Sequence, residues 1–190
     1  MNFIFLDMND LINEISRIAG LQETSEVNKM IAIKALEYVG QKETKNNSGF
    51  ENKDFFSEMR KVGFYSGAPW CSLFVKLVLK KCEHENYKKI NTSVLQTMRN
   101  LVEFGIDADK IKQVGTLAIW REVKKGKYTT RGHIGIVIDF NEKNFYSIEG
   151  NTDSDGDREG DSVLVKKRSY NWTEKNGLRL IGFFDVSSLK

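Results

Sequence analysis

The pattern of apolar residues changes at Gly105, and this change limits the folds that the chain can adopt. Before Gly105, apolar residues recur every three or four positions, which is typical of helices that bury one face. After it, short strand-like runs are separated by clusters of Gly, Asn, Asp and Lys. Helices in one block and strands in the next predict an α+β fold, with N-terminal helices packed on a central antiparallel β-sheet.

These patterns also give the expected positions of the elements. Helices are predicted over residues 10–19, 25–39, 54–62, 70–83 and 93–104, and strands over residues 114–121, 132–140, 144–149, 162–168 and 178–186. Residues 41–53 are polar and turn-rich, so we expect a surface loop there. The helix over residues 70–83 is the most apolar one, and it should be buried apart from a stripe of Ser72, Lys76 and Lys80.

Size and charge are those of an ordinary globular protein. The 190 residues can bury one sizeable core, and the hydrophobic (40%) and charged (29%) fractions fit a soluble domain. The formal net charge of +3 and the pI of about 8.7 suit an acidic polymer such as cell wall. They fall well short of the basic footprint of a nucleic-acid-binding protein, so no nucleic-acid partner is expected.

The N terminus bears on where the protein acts. A short apolar stretch is followed by Asp7, where a signal peptide would continue its apolar region. No run approaches the roughly 18 apolar residues of a membrane span, and none is expected. The sequence therefore predicts synthesis in the cytoplasm without a signal peptide. A substrate outside the cytoplasm would be reached through a holin, a secretion system or cell lysis.

The chain has two cysteines, and the sequence gives them different interpretations. Cys71 and Cys82 lie eleven residues apart in one predicted helix, so their Cα atoms should be roughly 16 Å apart. A disulfide needs less than about 7 Å, which predicts two free thiols. Cys82 lies among apolar residues and is interpreted as a small buried side chain.

Cys71 is interpreted as a nucleophile because of its place in the helix. Pro69, the only proline, comes two residues earlier, and proline is favoured in the first turn of a helix. Backbone N–H groups in that turn lack intrahelical partners, and the positive end of the helix dipole lies there. A thiol in this position ionises more readily, and the same N–H groups can stabilise an oxyanion.

The two histidines also differ. His84 follows the cysteine helix, where a solvated or C-capping role is expected. His133 begins an apolar run in which alternation places Ile134, Ile136 and Ile138 on the core face and His133 on the other. Gly135, next on the face of His133, leaves space beside the imidazole.

A hairpin prediction supplies partners for His133. If residues 141–143 form a three-residue loop, Phe140 pairs with Asn144 and His133 lies opposite Asn151. Glu149 is then diagonal to His133 on the same face and within reach of the imidazole. A slip of one residue would reverse the faces. In this register the chain has a thiol, a base and groups that orient the base, as covalent acyl transfer requires.

Residues 67–75, 115–120, 132–137 and 148–152, taken together, resemble four motifs of the CHAP family, the cysteine- and histidine-dependent amidohydrolases/peptidases. Residues 67–75 (GAPWCSLFV) resemble its nucleophile motif, and residues 115–120 (GTLAIW) look like the strand before its histidine motif. Residues 132–137 (GHIGIV) match the histidine motif, and residues 148–152 (IEGNT) match the acid/amide motif. The similarity covers roughly residues 30 to 186.

The resemblance implies a papain-like fold of the CHAP/NlpC type and hydrolysis of peptidoglycan. The enzyme would be an N-acetylmuramoyl-L-alanine amidase or a stem-peptide or cross-bridge endopeptidase, working through a thioacyl-enzyme intermediate without a cofactor. The implied catalytic residues are Cys71, His133 and Glu149, with Asn151 as an auxiliary polar group. Trp70, Tyr65 and Gly132 are the expected substrate-binding residues, with Trp120 in the core. Residues 1–30 would be a helical extension and residues 31–190 the catalytic domain.

Other interpretations remain open at this point. The same chemistry could act on a small cytosolic amide or a γ-glutamyl peptide, or the chain could be a catalytically inactive wall-binding module. Residues 153–161 are acidic, but Arg158 and Leu164 stand where a calcium loop of the EF-hand type needs Gly and Glu. A solvated loop beside the cleft is favoured over calcium, and no metal site is expected. The expected partners are peptidoglycan or muropeptide and an immunity or delivery protein, with the chain itself a monomer.

Overall fold

The computed structural model describes residues 8–21, 24–103, 113–153, 160–170 and 177–188, and it is an α+β structure. The helices come first: α1 (Met8–Leu21), α2 (Glu26–Leu36), α3 (Lys53–Lys61), α4 (Cys71–Lys81) and α5 (Val94–Glu103). A small hairpin of β1 (Glu43–Thr44) and β2 (Gly49–Phe50) lies between α2 and α3. The main strands follow: β3 (Leu117–Lys124), β4 (Lys127–Phe140), β5 (Asn144–Thr152), β6 (Ser162–Ser169) and β7 (Leu178–Phe184).

The five main strands form one antiparallel sheet in the order β6-β5-β4-β3-β7. This confirms the predicted α+β class and the antiparallel sheet. None of the helices in the described ranges is both long and apolar enough to cross a membrane.

Two local expectations needed correction. Residues 41–53 are not only a loop, because Glu43 and Thr44 pair with Phe50 and Gly49, and the Phe50 side chain is buried. Strand β4 begins at Lys127 rather than at residue 132, because its polar first residues pair with the end of β3. A hydrophobicity pattern cannot detect such pairing where neither face of the strand is buried.

Both faces of the sheet are buried. The helices pack on one face, where Ile134, Ile136 and Ile138 join the larger core. The other face carries a smaller cluster that includes Trp120 and Val137. The alternation predicted for β4 is therefore present, with apolar residues on both sides.

Helix α4 lies in the larger core, and Cys71 is its first residue. Eight of its eleven residues are buried. Ser72 is one of them, so it does not belong to the expected polar stripe, because the first turn of α4 is enclosed by the larger core. Helix α2 runs through the boundary expected between residues 30 and 31, and buried residues, among them Asn28 and Ala32, lie on both sides of it.

Candidate active site

Cys71 is the first residue of α4, and no side chain caps this helix. Trp70 occupies the N-cap position without a side-chain cap hydrogen bond, and its carbonyl accepts the hydrogen bond from Phe74 N at 2.9 Å. The first N–H groups of a helix have no partner within the helix. Donors are therefore concentrated around the Cys71 sulfur.

A cleft of about 380 Å³ opens at Cys71. Its walls are Asn47, the segment that leads into α4 with Gly67 and Pro69, residues 92–94 at the start of α5, and residues 130–132 of β4. The thiol is thus accessible from a cavity although Cys71 is only 4% exposed overall. Gly132, an expected substrate-binding residue, lies in this wall.

His133 lies on β4 and is fully buried. Its Nε2 is 2.9 Å from Glu149 Oε2, in a hydrogen bond that fixes the ring. The other nitrogen, Nδ1, is the one available to the Cys71 thiol. Among the residues described, only Cys71 approaches Nδ1 as a hydrogen-bond partner, so this nitrogen has no competing partner.

The surroundings of His133 favour its protonated form. Burial lowers the pKa of the imidazole, but hydrogen bonding to Cys71 and Glu149 and the charges of both groups outweigh burial and raise the pKa to about 9. At neutral pH the ring is therefore an imidazolium, held between the Glu149 carboxylate and the Cys71 sulfur.

Glu149 is the centre of a buried polar cluster. Its Oε1 accepts hydrogen bonds from Ser147 Oγ at 2.6 Å and from Arg168 Nε at 2.8 Å, and Oε2 also accepts from Arg168 Nη2. Burial raises the pKa of Glu149, but the Arg168 charge and the hydrogen bonds from Arg168 and His133 hold it well below its usual range. The carboxylate stays ionised and bridges two cations.

Arg168 is the site residue that sequence reasoning missed. It lies on β6, is 5% exposed, and its guanidinium is 5.7 Å from the ring centre of Trp120. The ring of Trp120 is also 5.8 Å from that of His133, so one indole packs against both groups. One signal in the sequence could have indicated it: Arg168 lies within a predicted strand, where alternate side chains point toward a buried face.

The β4–β5 register explains why Glu149 reaches His133. Phe140 pairs with Phe145 rather than Asn144, so the hairpin loop is one residue longer than expected. A register shift at Ile138 compensates, and Ile136 pairs with Ile148 as the predicted register requires. The faces are therefore the expected ones.

Gly135 makes this arrangement sterically possible. A Cβ atom at this position would lie 2.6 Å from Glu149 Cγ. The space expected beside the imidazole is thus the space that Glu149 occupies.

The remaining expected residues lie elsewhere. Asn151 is buried near the end of β5, with a left-handed backbone (φ 57°). Trp70 is fully buried, packs on Phe50 at 5.0 Å between ring centres, and donates its indole N–H to Glu43 at 2.6 Å. It belongs to the core and not to the cleft, because its polar edge is satisfied internally. Tyr65 is 62% exposed and does not line the cleft.

Cys82 and His84 have structural surroundings. The Cys82 thiol lies near Met30 O, and burial raises its pKa to about 11. His84 Nδ1 accepts a hydrogen bond from Asn86 N at 3.2 Å, so its side chain caps the start of the 3₁₀ helix Glu85–Lys89. Its backbone N–H donates to Leu79 O at 3.0 Å, which caps the end of α4 as expected. Burial lowers the pKa of His84.

Most of the acidic segment expected between residues 153 and 161 lies outside the described residues. Within the described ranges, no group of His, Cys, Asp or Glu could hold a metal ion. Fold and site together define an α+β protein with a buried cysteine–histidine–carboxylate–arginine cluster beside a cleft. No family model, curated protein or solved structure matches the chain.

Proposed function

We propose that this protein is a cysteine-dependent amide hydrolase of the CHAP type, with a papain-like arrangement, that cleaves peptidoglycan. One observation supports the chemistry above all others. A thiol at a helix N terminus, open to a cleft, interacts with an imidazole whose far nitrogen is held by a buried carboxylate. This is the nucleophile–base–orienter geometry of covalent acyl transfer.

The reaction follows from these positions. In the reactive pair the proton of Cys71 is held on His133, and the thiolate attacks the carbonyl carbon of the scissile amide. Backbone N–H groups at the start of α4 stabilise the oxyanion. His133 then protonates the leaving amine, and a thioacyl-enzyme remains. Water, deprotonated by the neutral imidazole, attacks the thioester, and the acid product leaves as the Cys71 thiol is restored.

Glu149 and Arg168 act through His133 and not on the substrate. Glu149 holds the ring by Nε2 and stabilises the imidazolium, while Arg168 keeps Glu149 ionised. Asn151, on the same strand as Glu149, is the auxiliary polar group.

The substrate assignment depends on the four CHAP-like segments, supported by a cleft that is open at the surface. Purified protein should therefore release soluble fragments from purified sacculi. Cys71→Ala should abolish this release, whereas Cys82→Ala, the matched control, should retain it. Equal digestion by the Cys71→Ala variant and the parent would refute the mechanism.

Products identify the bond. Mass spectrometry of digested muropeptides separates an amidase, which frees intact stem peptides from the glycan, from an endopeptidase, which shortens the peptides. Turnover of small γ-glutamyl amides without turnover of muropeptides would keep the chemistry and change the substrate. Absence of turnover on both, with a folded protein, would indicate a binding module.

A further inference from the structure

The hairpin between β3 and β4 concentrates positive charge beside the cleft. Residues 121–131, here called the basic arm, contain five basic residues and one acidic residue, a net charge of +4. The whole chain has a net charge of +3. The arm is therefore more positive than the entire molecule, and the rest of the chain is close to neutral.

The single acidic residue of the arm does not face solvent. Glu122 is 5% exposed, accepts a hydrogen bond from Thr129 Oγ1 at 2.8 Å and lies 3.5 Å from Lys124 Nζ. Lys124, Lys125 and Lys127 are exposed. The potential that an approaching partner meets is accordingly positive.

The arm is held in shape before any partner binds. Lys124 pairs with Lys127 across a two-residue turn in which Lys125 and Gly126 have left-handed backbones (φ 49° and 74°). Tyr128 is 46% exposed, and the guanidinium groups of Arg121 and Arg179 lie 4.9 Å and 5.8 Å from its ring centre. Such stacking orders both arginines and lowers the entropy that binding would cost.

Arg131 connects the arm to the reacting groups. It is exposed, lines the cleft, and precedes His133 by two residues on β4, a distance of about 7 Å along a strand. Its guanidinium forms no ion pair with the residues that the structure describes. An anionic polymer that runs along the arm would therefore enter the cleft past an unneutralised cation.

We propose that the basic arm binds the carboxylates of the peptide–glycan strand that carries the scissile amide, with Arg131 contacting the carboxylate nearest the cleft. This proposal depends on the proposed function, because that function supplies a polymer of this chemistry. Guanidinium groups suit carboxylates through paired hydrogen bonds, and the lysines supply longer-range attraction.

The test measures binding without hydrolysis. Cosedimentation uses the Cys71→Ala protein and sacculi stripped of phosphate polymers with hydrofluoric acid. One variant adds Lys124→Gln, Lys125→Gln and Lys127→Gln. The matched control adds Lys53→Gln, Lys61→Gln and Lys88→Gln, which remove the same charge from exposed positions elsewhere. The arm variant should bind roughly tenfold more weakly, and the control should match the Cys71→Ala protein.

Two further experiments identify the group that the basic arm binds. Amidation of the sacculus carboxylates should remove the difference between the two lysine variants, and Arg131→Gln should weaken binding only to unmodified sacculi. Equal binding by the arm variant and its control overturns the proposal. A difference between the arm variant and its control that survives amidation, or that is seen only on sacculi that retain their phosphate polymers, also overturns it. Because no turnover is needed, these results are separate from a failure of the parent protein to hydrolyse the wall.

Discussion

At the scale of single residues, the site depends on a buried carboxylate shared by two cations. Glu149 is fully buried and contacts His133, Ser147 and Arg168. Removal of one partner from a buried ion pair leaves the other charge uncompensated. The resulting loss of stability is far larger than the net contribution of the intact pair to the free energy of unfolding. Arg168 therefore matters for stability and for the protonation of His133.

A double-mutant cycle checks this role of Arg168. Arg168→Met should lower the free energy of unfolding by about 3–5 kcal/mol, because Glu149 then lacks its strongest partner. Glu149→Gln in the same chain should recover part of that loss, since no buried charge is left unpaired. Chemical denaturation of the single and double variants measures the coupling. Strictly additive losses would show that Glu149 and Arg168 act independently.

At the scale of elements, the sequence predicted the order and approximate bounds of the helices and strands because periodicity reports burial directly. It also predicted that Glu149 lies near His133. That prediction holds because two features it did not include, a longer hairpin loop and the register shift at Ile138, cancel each other. Neither has a strong local signature. Arg168 could not be assigned, because its partner lies on another strand, 19 residues away in sequence. Trp70 was misplaced because an aromatic residue beside a nucleophile suits a core as well as a cleft.

At the scale of the whole molecule, the site connects catalysis to global stability. The start of α4, the sheet and the cleft lie around His133 and Glu149, and the pKa values of these two groups differ between the folded and unfolded states. His133 has its pKa raised from an unfolded value of 6.5 to about 9, so its protonation favours the folded state. Glu149 has its pKa lowered, so its ionisation also favours the folded state.

The free energy of unfolding should therefore depend on pH in a defined way. The contribution of His133 is fully present below pH 6.5 and is lost as the pH rises through about 9, a loss on the order of 3 kcal/mol. The contribution of Glu149 is present above its unfolded pKa and is lost only in strong acid. Denaturation between pH 6 and 9 measures the first effect, and His133→Gln is the control. An unchanged slope in that variant would assign the pH dependence to other groups.

The most direct measurement of the central claim compares the two cysteines of one protein. Both are buried, at 4% and 8% exposure for Cys71 and Cys82, so exposure does not favour Cys71. Burial raises the pKa of Cys82 to about 11, which leaves roughly one thiolate in 10,000 at pH 7. Rates of iodoacetamide alkylation, followed site by site by mass spectrometry on the folded protein, should be at least about 100-fold higher at Cys71. Equal rates at the two sulfurs, or faster reaction at Cys82, would contradict a Cys71 thiolate paired with the His133 imidazolium.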